Sequence, residues 1–186
     1  MQLTRLAHHY LETHLNDGAL AIDATAGNGH DTLKMAELVG ATGIVITVDI
    51  QSEAIESTRK RLNESGLESA RLIHGDHAKV LSELCNEYSD HAAAITFNLG
   101  YLPGSDKQVQ TNPETTRAAL DAAMTLLSKE GVLLVTAYRG HSGGIEEASA
   151  VEEWMRVKQT EGYTIKSHEP SAIRIPPILW VLKDGG

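Results

Sequence analysis

The chain holds one cysteine, Cys85, among its 186 residues. An internal disulfide is therefore impossible, and the usage fits a reducing compartment, so the cytoplasm is the expected location. Long apolar runs are missing too: none approaches the roughly 20 residues that cross a membrane. The first residues carry no signal-peptide pattern. Leu3, Leu6, Tyr10 and Leu11 recur at helical spacing between His8, His9, Glu12 and His14, which reads as an amphipathic helix. Positive charge is scarce, with 16 Lys and Arg against 25 Asp and Glu and a formal net charge of −9. That excludes a general nucleic-acid coat protein, whose affinity comes from cations displacing counterions, but leaves room for a local basic face. The densest basic run, Arg59-Lys60-Arg61, lies among Glu53, Glu56 and Glu64 and reads as a solvated helix face. The nine histidines include no H-E-x-x-H pair and have no cysteine pair to join, so no metal site is expected. Repeats and low-complexity stretches are likewise lacking.

What is present is alternation. Short β-rich apolar runs near 19–24, 43–49, 70–74, 92–98, 131–138, 162–167 and 178–183 alternate with helical patterns near 3–15, 30–39, 52–65, 77–87, 113–128 and 145–160. This pattern predicts an α/β fold with a mostly parallel seven-stranded sheet and helices on both faces. The length fits a single domain, 1–186, burying roughly 70% of its unfolded surface. Gly40, Gly66, Gly131 and Gly162 fall where helices end or strands begin. The irregular stretches 99–112 and 139–144 each follow a strand, which is where open α/β sheets place ligands. Pro176-Pro177 ahead of the last apolar run predicts a final strand entering at the sheet margin.

The most informative stretch runs from Ile22 to Thr32, an apolar strand passing through Gly27-Asn28-Gly29 into a helix. Such glycines allow positive φ and close backbone approach, and the helix start presents unpaired N–H groups. The third glycine of a dinucleotide fingerprint is replaced by Thr32. Asp49 ends the second strand, followed by Gln51, at the separation expected for an acid that accepts from ribose hydroxyls. Asp76, followed by His77, comes after the third strand and could accept from an adenine amino group. With Asp23 this makes carboxylates at three successive strand ends, which resembles the S-adenosylmethionine site of class I methyltransferases. Acids suit a cationic sulfonium and ribose and repel a diphosphate. Thr25, Asn28 and Asp31 complete the candidate cofactor set on the turn. Each acid also has a plainer reading: Asp23 as a turn cap, Asp76 as the initiator of the next helix, and His77 as a helix-start residue.

A second constellation follows the fourth strand. Asn98 and Tyr101 stand three apart around Leu99-Gly100, similar to the Asn-Pro-Pro-Tyr loop of methyltransferases that modify exocyclic amines, with the prolines missing. In such a loop a side-chain carbonyl accepts the amine protons. Asn98 thus belongs to both the cofactor and the catalytic sets. Nitrogen methylation needs a neutral, aligned amine, so a base is required. Asp106 and His141 are the candidate bases, and Tyr138 joins them on the glycine-rich segment Ala137–Gly144 after the fifth strand. Turn and packing roles for these residues are the alternative.

Three motifs now stand together: Asp23-Ala24-Thr25 with Gly27-Asn28-Gly29 and Asp31-Thr32; Asn98-Leu99-Gly100-Tyr101-Leu102-Pro103-Gly104 with Asp106-Lys107; and Tyr138-x-Gly140-His141-x-Gly143-Gly144 with Glu146-Glu147. Across essentially its whole length the chain resembles the small bacterial rRNA methylase family, also called the YtqB or MnmM family. The resemblance implies a Rossmann-like class I fold, S-adenosyl-L-methionine as donor, and tRNA as substrate. The implied reaction methylates the primary amine of 5-aminomethyluridine, often 2-thiolated, at the wobble position. It makes Asp106, Tyr138 and His141 the leading substrate-facing residues. Relatives often carry asparagine shortly before the Pro-Pro pair, where this chain has Ile173-Arg174-Ile175. Competing readings are a small-molecule or rRNA N-methyltransferase and a non-catalytic cofactor-binding module. A homodimer would give a compact acidic domain more surface for RNA.

Overall fold

Runs such as Val45–Val48 and Val132–Val135 offer no polar face to water, so both sides of the strands they form must be covered. A computed structural model of the chain describes residues 3–100, 111–170 and 175–186, and in it all eight of these residues are buried. The described elements follow the order α1 (Leu3–His14), β1 (Leu20–Asp23), α2 (His30–Val39), β2 (Ile44–Asp49), α3 (Ser52–Glu64), β3 (Ala70–His74), α4 (His77–Tyr88), β4 (Ala92–Leu99), α5 (Pro113–Leu126), β5 (Leu127–Ala137), α6 (Gly144–Thr160), β6 (Thr164–His168) and β7 (Ile178–Lys183).

The strands form one sheet in the order β3-β2-β1-β4-β5-β7-β6, with β1 to β5 parallel and β7 antiparallel to both its neighbours. Successive strand residues face opposite sides. Ala21, Val45, Ala94 and Leu134 therefore pack with Leu11 of α1, Met35 of α2 and Leu62 of α3. Their neighbours Ile22, Ile46, Ile95 and Leu133 pack with Leu81 of α4, Leu120 of α5 and Trp154 of α6. The chain leaves β1 in one direction to build β2 and β3, then returns to build β4 and β5 on the other side. That reversal opens a crevice at the carboxyl ends of β1 and β4.

Two expectations are corrected. β7 lies inside the sheet, between β5 and β6, and β6 is the edge. Pro176 and Pro177 precede the first paired residue, Ile178, so they remove no donor from the ladder and the strand can pair on both sides. Strand β5 also begins at Leu127 rather than 131. Leu127 pairs with Ala92 and Val132 with Ala94, and the register shift absorbs residues 128–131. Gly131 is needed at that shift, because a Cβ there would lie 2.8 Å from the Ala92 carbonyl oxygen.

The caps place helix starts around the crevice. Asp76 caps α4 by accepting from the N–H groups of Ala78 and Lys79, and Asn112 caps α5 by accepting from Glu114 and Thr115, with Pro113 in the first turn. Helix α1 is held to α2 by Glu12 and Lys34, 2.7 Å apart. No helix among the described residues is long and apolar enough to cross a membrane.

Candidate active site

The turn between β1 and α2 is tied to the strands on either side of it. The Ala24 N–H donates to the Thr96 carbonyl and that of Ala26 to the Val48 carbonyl, each at 2.9 Å. Gly27 and Gly29 then adopt φ of 53° and 75°, a region that disfavours any side chain. Gly29 has a second reason to be glycine: a Cβ there would lie 2.8 Å from both Cα and Oγ1 of Thr58 on α3. Arg61, also on α3, donates through Nε to the Asn28 carbonyl at 2.7 Å. The solvated-face reading of Arg59-Lys60-Arg61 thus holds for Arg59 and Lys60, which pair with Glu56 and Glu64, but not for Arg61, which latches the glycine turn.

Asp23 is fully buried behind this turn. Its Oδ2 accepts from the Thr32 hydroxyl at 2.6 Å, and its Oδ1 from the Thr96 hydroxyl and the Thr25 N–H at 3.3 Å. Burial, then the neighbouring Asp31 charge, pushes its pKa up to about 8. Thr32, where a third glycine would stand in a dinucleotide fold, is the residue that holds this carboxyl.

In front of the turn lies a cavity of about 510 Å³, a size typical of small-molecule sites, which run from roughly 300 to 1,000 Å³. Of the cofactor candidates, Thr25, Gly27, Asn28, Asp31, Asp49, Gln51, Asp76, His77 and Asn98 line it. Asp23, Gly29 and Thr32 are not among its lining residues and shape it from behind. The acid that reaches the cavity from the first turn is Asp31, in the opening turn of α2. Asp49 accepts from the N–H groups of Gly27 and Gln51, each at 2.9 Å, so it joins β2 to the glycine turn. Burial raises its pKa against those two bonds. Asp76 caps α4, as its plainer reading has it, and also lines the cavity. His77 packs edge-on against Phe97 with centroids 5.9 Å apart, and burial lowers its pKa, which keeps the imidazole neutral at pH 7.

Asn98 is fixed at both ends. Its backbone N–H donates to Thr25 Oγ1 at 2.6 Å, and its side-chain Nδ2 donates to Asp31 Oδ2 at 2.7 Å. The second bond assigns the amide orientation and leaves Oδ1 as the acceptor end. Gly100 and Thr111 are bonded to each other twice. The Gly100 N–H donates to Thr111 Oγ1 at 2.9 Å, and the Thr111 N–H donates to the Gly100 carbonyl at 3.1 Å. The Thr111 hydroxyl donates in turn to Glu147, a buried carboxylate on α6 that also accepts from Thr116. Tyr101 and Asp106 lie outside the described residues.

Tyr138 and His141 reach the same cavity. The His141 ring occupies the space between two glycines: a Cβ would lie 3.3 Å from its Nε2 at Gly100 and 2.8 Å at Gly144. Burial, then the Asp31 charge, raises the Tyr138 pKa, so the phenol stays protonated. Arg139 donates to the Pro176 carbonyl at 2.7 Å and to Glu169 at 2.9 Å, which ties the loop after β5 to the segment entering β7. Sequence reasoning missed Thr4 and Thr115 as lining residues, and did not single out Thr111, Asn112 and Arg139 within the stretches 99–112 and 139–144. The Asn112-Pro113 pair, a helix-start signal, was the clue that a helix opens beside the site.

Residues 45–183 match the family model described as "Putative rRNA methylase". The chain belongs to that family. A protein named tRNA (mnm(5)s(2)U34)-methyltransferase, chloroplastic, from Arabidopsis thaliana is 39% identical over 80% of this chain, and the chain spans 57% of that plant relative's length. Among solved structures, a "putative rRNA-methylase" from Clostridium thermocellum superposes with a TM-score of 0.89 at 34% identity, covering 97% of this chain and 96% of that one. A "putative methyltransferase" from Streptococcus mutans, solved with SAH, gives a TM-score of 0.85 at 29% identity over 98% and 97% of the two chains. This rRNA methylase family member therefore has the class I methyltransferase fold that the order of its strands and helices predicts.

Proposed function

We propose that this chain is an S-adenosyl-L-methionine-dependent N-methyltransferase. Its substrate on this reading is the primary amine of 5-aminomethyl-(2-thio)uridine at the tRNA wobble position, and its product is the methylaminomethyl form. The observation that carries the reading is the Asn98 amide, held by Asp31 so that its carbonyl end is left for a substrate N–H. The plant relative's name and the SAH found with the streptococcal neighbour support it.

The residues fit the donor. Carboxylates of Asp31, Asp49 and Asp76 line the cavity, and its arginine, Arg139, is paired with Glu169, so the lining favours a cation over a diphosphate. On this reading Asp49 accepts from the ribose and Asp76 from the adenine, and Gly27 permits close backbone approach. S-adenosylmethionine supplies an electrophilic methyl group on a positively charged sulfur.

The remaining work belongs to the chain's own groups. Asn98 Oδ1 accepts an N–H bond of the amine and orients its lone pair, while the Asp31 carboxylate holds the amide in place, which is the positioning this chemistry needs. An amine must be neutral to attack, and a nearby acceptor takes the proton it sheds. Tyr138, kept protonated, offers its hydroxyl hydrogen to the substrate. His141 and Asp106 are the proposed bases. Two copies of the chain acting together would widen the surface offered to tRNA.

The test is methyl transfer from labelled S-adenosylmethionine to two tRNA pools, one bearing the free aminomethyl group and one bearing carboxymethylaminomethyl. Label should enter the first pool alone. No label in the free-amine tRNA overturns the substrate assignment, and equal labelling of the free nucleoside would favour a small-molecule enzyme.

A further inference from the structure

Helix α1 does more than cover the sheet. Its apolar residues Leu6, Ala7 and Leu11 are buried against the strands, while Thr4, His8 and Glu12 recur every fourth residue and so form one stripe on another face. Each member of that stripe meets either the cavity or helix α2. Thr4 lines the cavity, Glu12 bonds Lys34 of α2, and His8 Nε2 contacts Asp31 Oδ1 at 2.7 Å. Asp31 in turn receives Asn98 Nδ2 through its other oxygen, also at 2.7 Å.

We propose that His8 is a positioning residue for methyl transfer, acting through Asp31 to hold the Asn98 amide with its carbonyl toward the amine. The inference rests on the N-methyltransferase reading for its kinetic consequence, but the geometric claim stands apart from any substrate. A carboxylate at the first turn of a helix can rotate about χ2, and each rotation changes which lone pair meets Asn98. The ring N–H of His8 on Oδ1 stops that rotation. With Asp31 fixed, the Asn98 amide has one orientation that makes a hydrogen bond and one that opposes two oxygens. The second orientation would present an N–H donor, not an acceptor, to the substrate amine.

His8 is a good subject for mutation because it is partly exposed and lies off the buried stripe of α1, so truncation leaves Leu6, Ala7 and Leu11 in place. His8→Ala should lower kcat roughly 10- to 100-fold, as expected when a reacting group is misplaced by about an ångström, with KM for the donor unchanged. His8→Gln keeps an N–H donor within reach of Asp31 and should restore most of the rate. The spectroscopic reading needs no substrate: the Asn98 side-chain amide signals, identified as those missing from Asn98→Asp, should move upfield in His8→Ala and return in His8→Gln. Unmoved Asn98 signals in His8→Ala overturn the proposal, as does an unchanged kcat. Loss of activity that His8→Gln fails to recover overturns it too. If the wild-type chain methylates no tRNA, the amide signals still decide the role of His8, and only the substrate reading falls.

Discussion

Replacing Gly29 with alanine separates two reasons for a glycine that are usually confounded. At φ 75° any Cβ is strained, by roughly 1–2 kcal/mol for the left-handed region. At Gly29 the added carbon would also sit 2.8 Å from the Cα and hydroxyl of Thr58, and the Cα cannot move without shifting α3. Overpacking of that kind costs about 1–3 kcal/mol more. Gly66 provides the control: its φ is 65°, yet nothing lies within 4 Å of where its Cβ would be. The two variants share the conformational strain and differ in the contact. For a chain of this size each kcal/mol moves Tm by about 2–4 °C, so Gly29→Ala should melt roughly 2–12 °C below Gly66→Ala. Calorimetric titration with S-adenosylhomocysteine should show weakened binding for Gly29→Ala, because α3 presses on the turn that lines the cavity, and wild-type binding for Gly66→Ala. Equal melting temperatures for the two variants would refute the claim that close packing, beyond backbone angle, sets this residue.

Two further perturbations probe the acids and their amide. Asp23 has its pKa raised to about 8 from 3.8, so between these values the folded state keeps a proton that the unfolded chain has released, and stability falls as pH rises across that window. Asp23→Asn should flatten the fall in urea midpoint between pH 5 and 8, and parallel pH curves for the two proteins would count against the assignment. Asn98→Asp preserves shape but sets a second carboxyl 2.7 Å from Asp31 and removes the donor between them, so kcat should drop by at least about 10-fold. Wild-type turnover in Asn98→Asp would remove the amide from the chemistry.

The strands were legible because their message is local. Val45–Val48 and Val132–Val135 leave no polar face, and a strand buried on both sides follows from that alone. The site's location was legible for a related reason, since irregular stretches at 99–112 and 139–144 follow strands whose parallel arrangement brings their carboxyl ends to one edge. The position of β7 was not legible. Which neighbours a strand finds is decided by pairings such as Val135 with Trp180, 45 residues away, and no local period encodes them. Arg61 was misjudged for the same reason: glutamates nearby in sequence suggest surface pairing, while its partner, the Asn28 carbonyl, is 33 residues distant. Asp23 and Asp31 illustrate a subtler limit. Both are acids beside a glycine turn, yet Asp23, at the end of β1, turns inward to Thr32, while Asp31, in the first turn of α2, lines the cavity.

That division of acids explains how a crevice rich in carboxylates could still run amine chemistry. A carboxylate in contact with an amine stabilises the ammonium form, which has no lone pair to donate, so acids alone would hold such a substrate inert. Here each acid already has other duties. Asp23 is sequestered behind the turn with the Thr32 hydroxyl, Asp49 accepts two backbone N–H groups, and Asp31 is shared between His8 and Asn98. On the proposed N-methyltransferase reading, the acceptor left for the substrate nitrogen is the neutral carbonyl of Asn98, which takes an N–H bond while favouring the charged amine less than an acid would. On that reading, an asparagine rather than an aspartate at the end of β4 lets the surrounding negative charge favour a sulfonium without trapping the nucleophile as its cation.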